Sequence, residues 1–173
     1  MSEAAVEKVV DLMVQDDVKA KAANAIYDEI AEWCAHQRRW TTRLWNFLRP
    51  WHTPVVPHRP FRPLYWRCLV MIREPELVTA SGLVLLRETR DIEAYLTYVG
   101  MVIAIGKLAY KAKTRAGLRL SDEDNPKLGD EVVFYKNAGT RFKTIDGLQF
   151  VLITDTEMWG ETDDPKNLDT LAM

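Results

Sequence analysis

The chain has 173 residues and a mass of 19.9 kDa, room for one ordinary domain or a small domain with an extension, and too little for a multidomain machine. Hydrophobic residues make up 47% and aromatics 10% of it, enough for a core and contrary to wholesale disorder, while 23 basic and 25 acidic side chains leave a formal charge of −2. That near-neutrality conceals a division: residues 1–32 carry three Lys against eight Asp or Glu, and residues 33–73 carry eight Arg and no acid. The basic block also holds all three histidines (His36, His52, His58) and five of the six tryptophans (Trp33, Trp40, Trp45, Trp51, Trp66).

From Ser2 to about Leu48 the residues are helix formers, with no Gly or Pro before Pro50. Apolar residues at Val6, Val9, Val10 and Met13, then at Ile26, Ile30, Trp33, Trp40, Leu44 and Phe47, recur at helical spacing and predict one long helix or a helical hairpin. Its narrow apolar stripe requires a partner, either the chain's own barrel or a neighbouring subunit. Residues 50–63 then contain Pro50, Pro54, Pro57, Pro60 and Pro63, which forbid regular helix and remove ladder donors, so a stiff extended linker is expected.

Beyond Leu64 the pattern changes to short runs rich in β-branched and aliphatic residues. Strands are expected at Cys68–Ile72, Leu83–Leu86, Val99–Ile105, Glu131–Tyr135, Arg141–Ile145 and Phe150–Thr154, punctuated by Asn125-Pro126, Gly129-Asp130, Asn137-Ala138-Gly139 and Asp146-Gly147. Strands this short, with no long intervening helix outside Leu108–Leu120, predict a small antiparallel barrel and disfavour a parallel nucleotide-binding sheet. The segment after Gly160, with Asp163-Asp164-Pro165, is expected to be exposed and mobile.

Catalytic constellations are not found. The eight glycines are scattered from Gly82 to Gly160, so no phosphate-cradling loop forms, and none of Ser2, Ser81 and Ser121 sits in a nucleophile elbow. Cys34 and His36 splay apart on a helix, and Cys34 reads as a small buried hydrophobe. Cys34, His36, His52, His58 and Cys68 lack the spacing of a zinc site, and Ser121–Pro126 lacks the Gly and Glu of a calcium loop, so neither metal nor cofactor is expected. The two cysteines make no disulfide framework, the N-terminus lacks a signal-peptide pattern and no apolar run reaches a membrane span, which points to the cytoplasm. The Arg- and Trp-rich block admits three uses: single-stranded nucleic acid binding, a membrane surface, or packing of Trp between helix and barrel with Arg paired to the acidic helix. The third is favoured, and the slight acidity of the chain as a whole counts against the first.

The stretch Arg62-Pro63-Leu64-Tyr65-Trp66-Arg67-Cys68-Leu69-Val70-Met71-Ile72-Arg73-Glu74 resembles the opening of GroES-type co-chaperonins. In the same order follow Ser81-Gly82-Leu83-Val84-Leu85, similar to that family's Gly-plus-aliphatic mobile loop, then Gly100–Gly106, similar to its Gly-x-Val-x-x-x-Gly strand, and Lys127–Phe134, similar to its Lys-x-Gly-Asp-x-Val strand. Asn137–Lys143 looks more like the versions encoded by tailed bacteriophages than like the bacterial housekeeping form. Residues 1–60 have no counterpart in the ordinary family, and Lys107–Pro126 is longer and more basic than its roof hairpin.

The resemblance, over about residues 61–160, implies a mainly β fold: a GroES-like, partly open barrel preceded by a helical extension. The layout expected is a helical extension at 1–48, a Pro/Trp/Arg-rich linker at 49–63, the barrel at 64–160 and a tail at 161–173. It further implies a non-enzymatic co-chaperonin that forms a homo-oligomeric ring, a heptamer, and caps a GroEL-type chaperonin through Gly82, Leu83, Val84 and Leu85, in aid of phage protein folding in the host cytoplasm. As a bare apolar run, Leu83–Leu86 also fits a plain core strand; the flanking matches favour the docking loop. Two rivals stand beside this reading: a virion protein reusing the barrel, and a nucleic-acid adapter working through Arg38, Arg39 and Arg43.

Overall fold

The computed structural model describes residues 3–40, 56–74, 97–111, 125–135 and 137–163, with 84, 89 and 92 singly; the helix side chains are described from 11 to 37. Helix α1 (Glu3–Trp40) precedes β1 (Arg67–Ile72), β2 (Val99–Ile105), β3 (Glu131–Phe134), β4 (Thr140–Lys143), β5 (Gln149–Thr154) and β6 (Met158–Glu161), with a 3-10 turn at Asp155–Glu157. The strands form one sheet in the order β4-β5-β1-β2-β3-β6, and every neighbouring pair is antiparallel. This is the fold class expected from sequence, a helix followed by a GroES-like, partly open antiparallel barrel.

β1 and β2 carry no polar alternation because both of their faces are covered. On one face Cys68, Val70, Ile72, Val102, Val132, Phe134, Val151 and Ile153 form a buried cluster. On the other, Leu69, Met71, Met101, Ile103 and Phe150 pack with Ala23, Tyr27, Ile30 and Cys34 of α1. A bulge between Leu69 and Val70 sets one extra residue in β2, which is why Ile103 and Ala104 both reach the α1 side.

The docked stripe of α1 runs Ala20, Ala23, Tyr27, Ile30, Cys34, alternate steps of three and four residues that keep one face on the sheet. Two alanines at its start allow close approach, and the larger side chains fill the hollow behind them. Val56, only 1% exposed, joins this same core, and Phe61 lies 5.1 Å from Phe142, which in turn lies 5.6 Å from Phe150. The proline-bearing segment from 56 to 63 therefore crosses the helix-covered face as a strap.

β6 was not expected as a strand. It has four residues, includes Gly160 and, among the described residues, pairs only with β3, Val133 lying opposite Gly160, so it lacks the apolar alternation that marks a strand in sequence. Between β3 and β4, Gly139 stands at φ +66 with its Cα against the Leu152 carbonyl, where a side chain has no room.

Candidate partner-binding loop

β1 and β2 are adjacent antiparallel strands, yet the chain between Ile72 and Val99 is far longer than a hairpin turn requires. Insertions of that length between paired strands are uncommon and usually functional. The aliphatic motif falls in this insertion. Val84 is 50% exposed; Gly82, Leu83 and Leu85 lie outside the described residues, as do the strand expected at Leu83–Leu86, apart from Val84, and the segment 112–124.

The root of the insertion is built from α1. Asn24 Nδ2 donates to the Glu74 carbonyl at 3.1 Å, and the Glu74 N–H donates back to Asn24 Oδ1 at 3.0 Å, so one amide satisfies both backbone groups just past β1. The Glu74 carboxylate, 6% exposed, meets Lys143 Nζ of β4 at 2.6 Å. Next to it Arg73 Nη2 donates to Asp28 Oδ1 at 2.5 Å, and its guanidinium lies 4.6 Å from the Tyr27 ring centroid. On the far side of the insertion, the Thr97 carbonyl accepts from Arg141 Nη2 at 2.7 Å. Both ends of the loop are thus fixed to the barrel and the helix.

Tyr27 completes the contact. Its hydroxyl donates to Glu131 Oε1 at 2.6 Å, whereas Glu131 Oε2 is buried with no hydrogen-bond partner among the described residues. Burial, more than any neighbour, raises the Glu131 pKa above the ordinary 4.5, opposed by the Tyr27 hydrogen bond and by Arg73. Burial and the nearby Glu131 carboxylate likewise raise the Tyr27 phenol, so Tyr27 stays a donor at any physiological pH. Sequence reasoning missed this group: Asn24, Tyr27 and Asp28 lie within about one turn of α1, but Glu131 stands 104 positions from Tyr27 on β3, and no spacing signal joins it to them.

Other chemistry-bearing residues are placed apart. Cys34 is buried in the helix–sheet core while His36 is exposed, so the two do not converge. Cys68 is fully buried on the opposite face; its Sγ lies 3.9 Å from the Tyr110 hydroxyl, which donates to Met158 Sδ at 2.6 Å, and burial pushes its thiol up to about 11. Among the described residues no three His, Cys, Asp or Glu side chains gather, and no helix is long and apolar enough to cross a membrane. The Trp-rich block divides: Trp33 packs against the helix–sheet core, Trp66 is 52% exposed, and Trp45 and Trp51 lie outside the described residues.

Two comparisons bear on this arrangement. No curated protein matches the chain. A family model described as the Chaperonin 10 Kd subunit (Cpn10) matches residues 60–161, from the end of the proline-bearing strap to the last residue of β6 and including the insertion, while α1 lies outside the match. A match over more than half the length holds all six strands inside a single family, and the chain belongs to it, the Cpn10 co-chaperonins.

Proposed function

We propose that this co-chaperonin caps a GroEL-type chaperonin as a ring, heptameric by the sequence resemblance, and docks through Gly82, Leu83, Val84 and Leu85. The observation that carries the reading is the Cpn10 match across residues 60–161, with the aliphatic motif inside the long β1–β2 insertion. The half-exposed Val84 supports it.

The energetics fit a reversible cap. Burying three aliphatic side chains in a groove on the partner gains roughly 5 to 8 kcal/mol, and ordering a free loop costs about 1 to 2 kcal/mol per residue. One loop therefore binds weakly. A ring presents several at high effective concentration, so the assembly holds and still releases when the partner's nucleotide state changes. Asn24, Asp28 and Lys143 already hold Arg73 and Glu74 at the root of the insertion, so docking does not have to order those two residues. The folding chemistry and any ATP hydrolysis belong to the partner, and the expected setting is the cytoplasm of a host cell, with phage proteins as clients.

The test is co-sedimentation with a GroEL-type chaperonin in the presence of ADP. The parent chain is captured, and Leu83→Ser with Leu85→Ser abolishes capture without changing thermal stability. Undiminished capture of that variant would remove the proposed anchors.

A further inference from the structure

About one turn of α1 grips the point at which the insertion leaves the sheet. Asn24, Tyr27 and Asp28 have the spacing that puts side chains on one side of a helix, and they lie within the buried stripe from Ala20 to Cys34, whose packing fixes where they stand. Each makes a different contact. The Asn24 amide pairs with both backbone groups of Glu74, at 3.1 and 3.0 Å, and Asp28 Oδ1 accepts from Arg73 Nη2 at 2.5 Å. The Tyr27 ring lies 4.6 Å from the Arg73 guanidinium while its hydroxyl donates to Glu131 of β3. The strands beneath are closely packed, since a Cβ at Gly100 of β2 would meet the Met71 carbonyl oxygen at 2.6 Å.

These polar contacts do something that docking the helix does not require. Ala23, Tyr27, Ile30 and Cys34 already secure α1 by burial in the sheet's apolar face. The Asp28 side chain is 59% exposed, and an ion pair so open to water adds little stability. What it holds matters more. Arg73 and Glu74 follow the last ladder pair of β1, Ile72 opposite Gln149, so beyond that pair the backbone needs another support, and Asn24 supplies it.

We propose that α1 is a positioning element for the chaperonin contact: Asn24 and Asp28 set how the insertion leaves β1, and the affinity of the cap depends on that grip. The proposal rests on the capping reading above and assigns a role to the helix, which the Cpn10 match does not cover. Releasing Arg73 and Glu74 adds two residues to those that docking must order, which weakens capping by about tenfold or more. Coupling of this kind is reciprocal, so a bound chaperonin favours the gripped state of α1 in turn.

Titration of a GroEL-type chaperonin with the full chain, in the presence of ADP, tests the coupling. Asn24→Ala with Asp28→Ala lowers the affinity about tenfold or more, with circular dichroism like the parent's. Ile153→Ala is the control for lost stability. Ile153 is buried on the opposite face of the sheet, beside Cys68 at the far end of β1, so its replacement lowers thermal stability at least as much and leaves the affinity unchanged. Amide exchange across residues 20–34 slows when the parent binds the chaperonin, and not when the Asn24→Ala, Asp28→Ala chain does. Parent-like or tighter binding of that chain, equal weakening by Ile153→Ala, or exchange in α1 that ignores the chaperonin overturns the proposal and leaves the capping reading standing. A parent chain that the chaperonin does not capture overturns the capping reading, and this proposal with it.

Discussion

Ile30 is fully buried between α1 and the sheet, in one cluster with Leu69, Met71, Met101, Ile103 and Phe150. Ile30→Ala removes three carbons, worth about 2.4 kcal/mol of transfer free energy at ~0.8 kcal/mol each, and leaves a cavity that β1 and β2 cannot close, being covered on their other face. The expected total is about 3 to 4 kcal/mol. With an m-value of about 2 kcal/mol/M for a chain of this size, the urea midpoint falls by roughly 1.5 to 2 M. Glu32→Ala, on the exposed side of the same helix, shifts stability by about 0.5 kcal/mol or less. Fluorescence-monitored urea unfolding distinguishes the two cases. If Ile30→Ala unfolds with the parent, α1 is an appendage and its place in the core is wrong.

Three further outcomes follow from the loop root and the buried thiols. Because burial raises the Glu131 pKa, the protein's advantage from this group is full below about pH 4.5 and is lost as pH rises through the raised value; Glu131→Gln, which still accepts from Tyr27, flattens that part of the Tm-against-pH curve and is at least as stable at neutral pH. Curves of equal slope for parent and variant would contradict the assignment. Asn24→Ala leaves the Glu74 N–H and carbonyl without their shared partner and costs about 1 to 3 kcal/mol, and amide exchange at Glu74 accelerates while that of Val102 and Val151 does not. Cys34 and Cys68 are both buried, and with the Cys68 thiol at about 11 neither reacts with iodoacetamide at neutral pH until the protein is unfolded; rapid labelling of the native chain would show that one of them is accessible.

The helix was visible in sequence because nothing between residues 3 and 40 interrupts it, and five strands because apolar runs stand between Gly, Asn and Asp turns. Which partner the helix takes was not visible: its apolar stripe is equally suited to the barrel or to a neighbour, and only the sheet's second apolar face decides for the barrel. That face has a trace in sequence, since Leu69–Ile72 and Val99–Ile105 show no polar alternation and so need cover on both sides. β6 escaped because an edge strand of four residues with a central Gly has neither length nor period. The loop root escaped for another reason. Asn24 and Glu74 meet through a backbone pair, and Tyr27 reaches Glu131 across the sheet, contacts that depend on register and leave no local pattern.

The account is tested most directly by native mass measurement of the full chain mixed with a GroEL-type chaperonin and ADP. It predicts a complex in which one closed ring of this chain sits on each occupied chaperonin end, and which is lost when Leu83 and Leu85 are replaced by Ser. A chain that forms no ring-on-chaperonin species with the nucleotide present would contradict it.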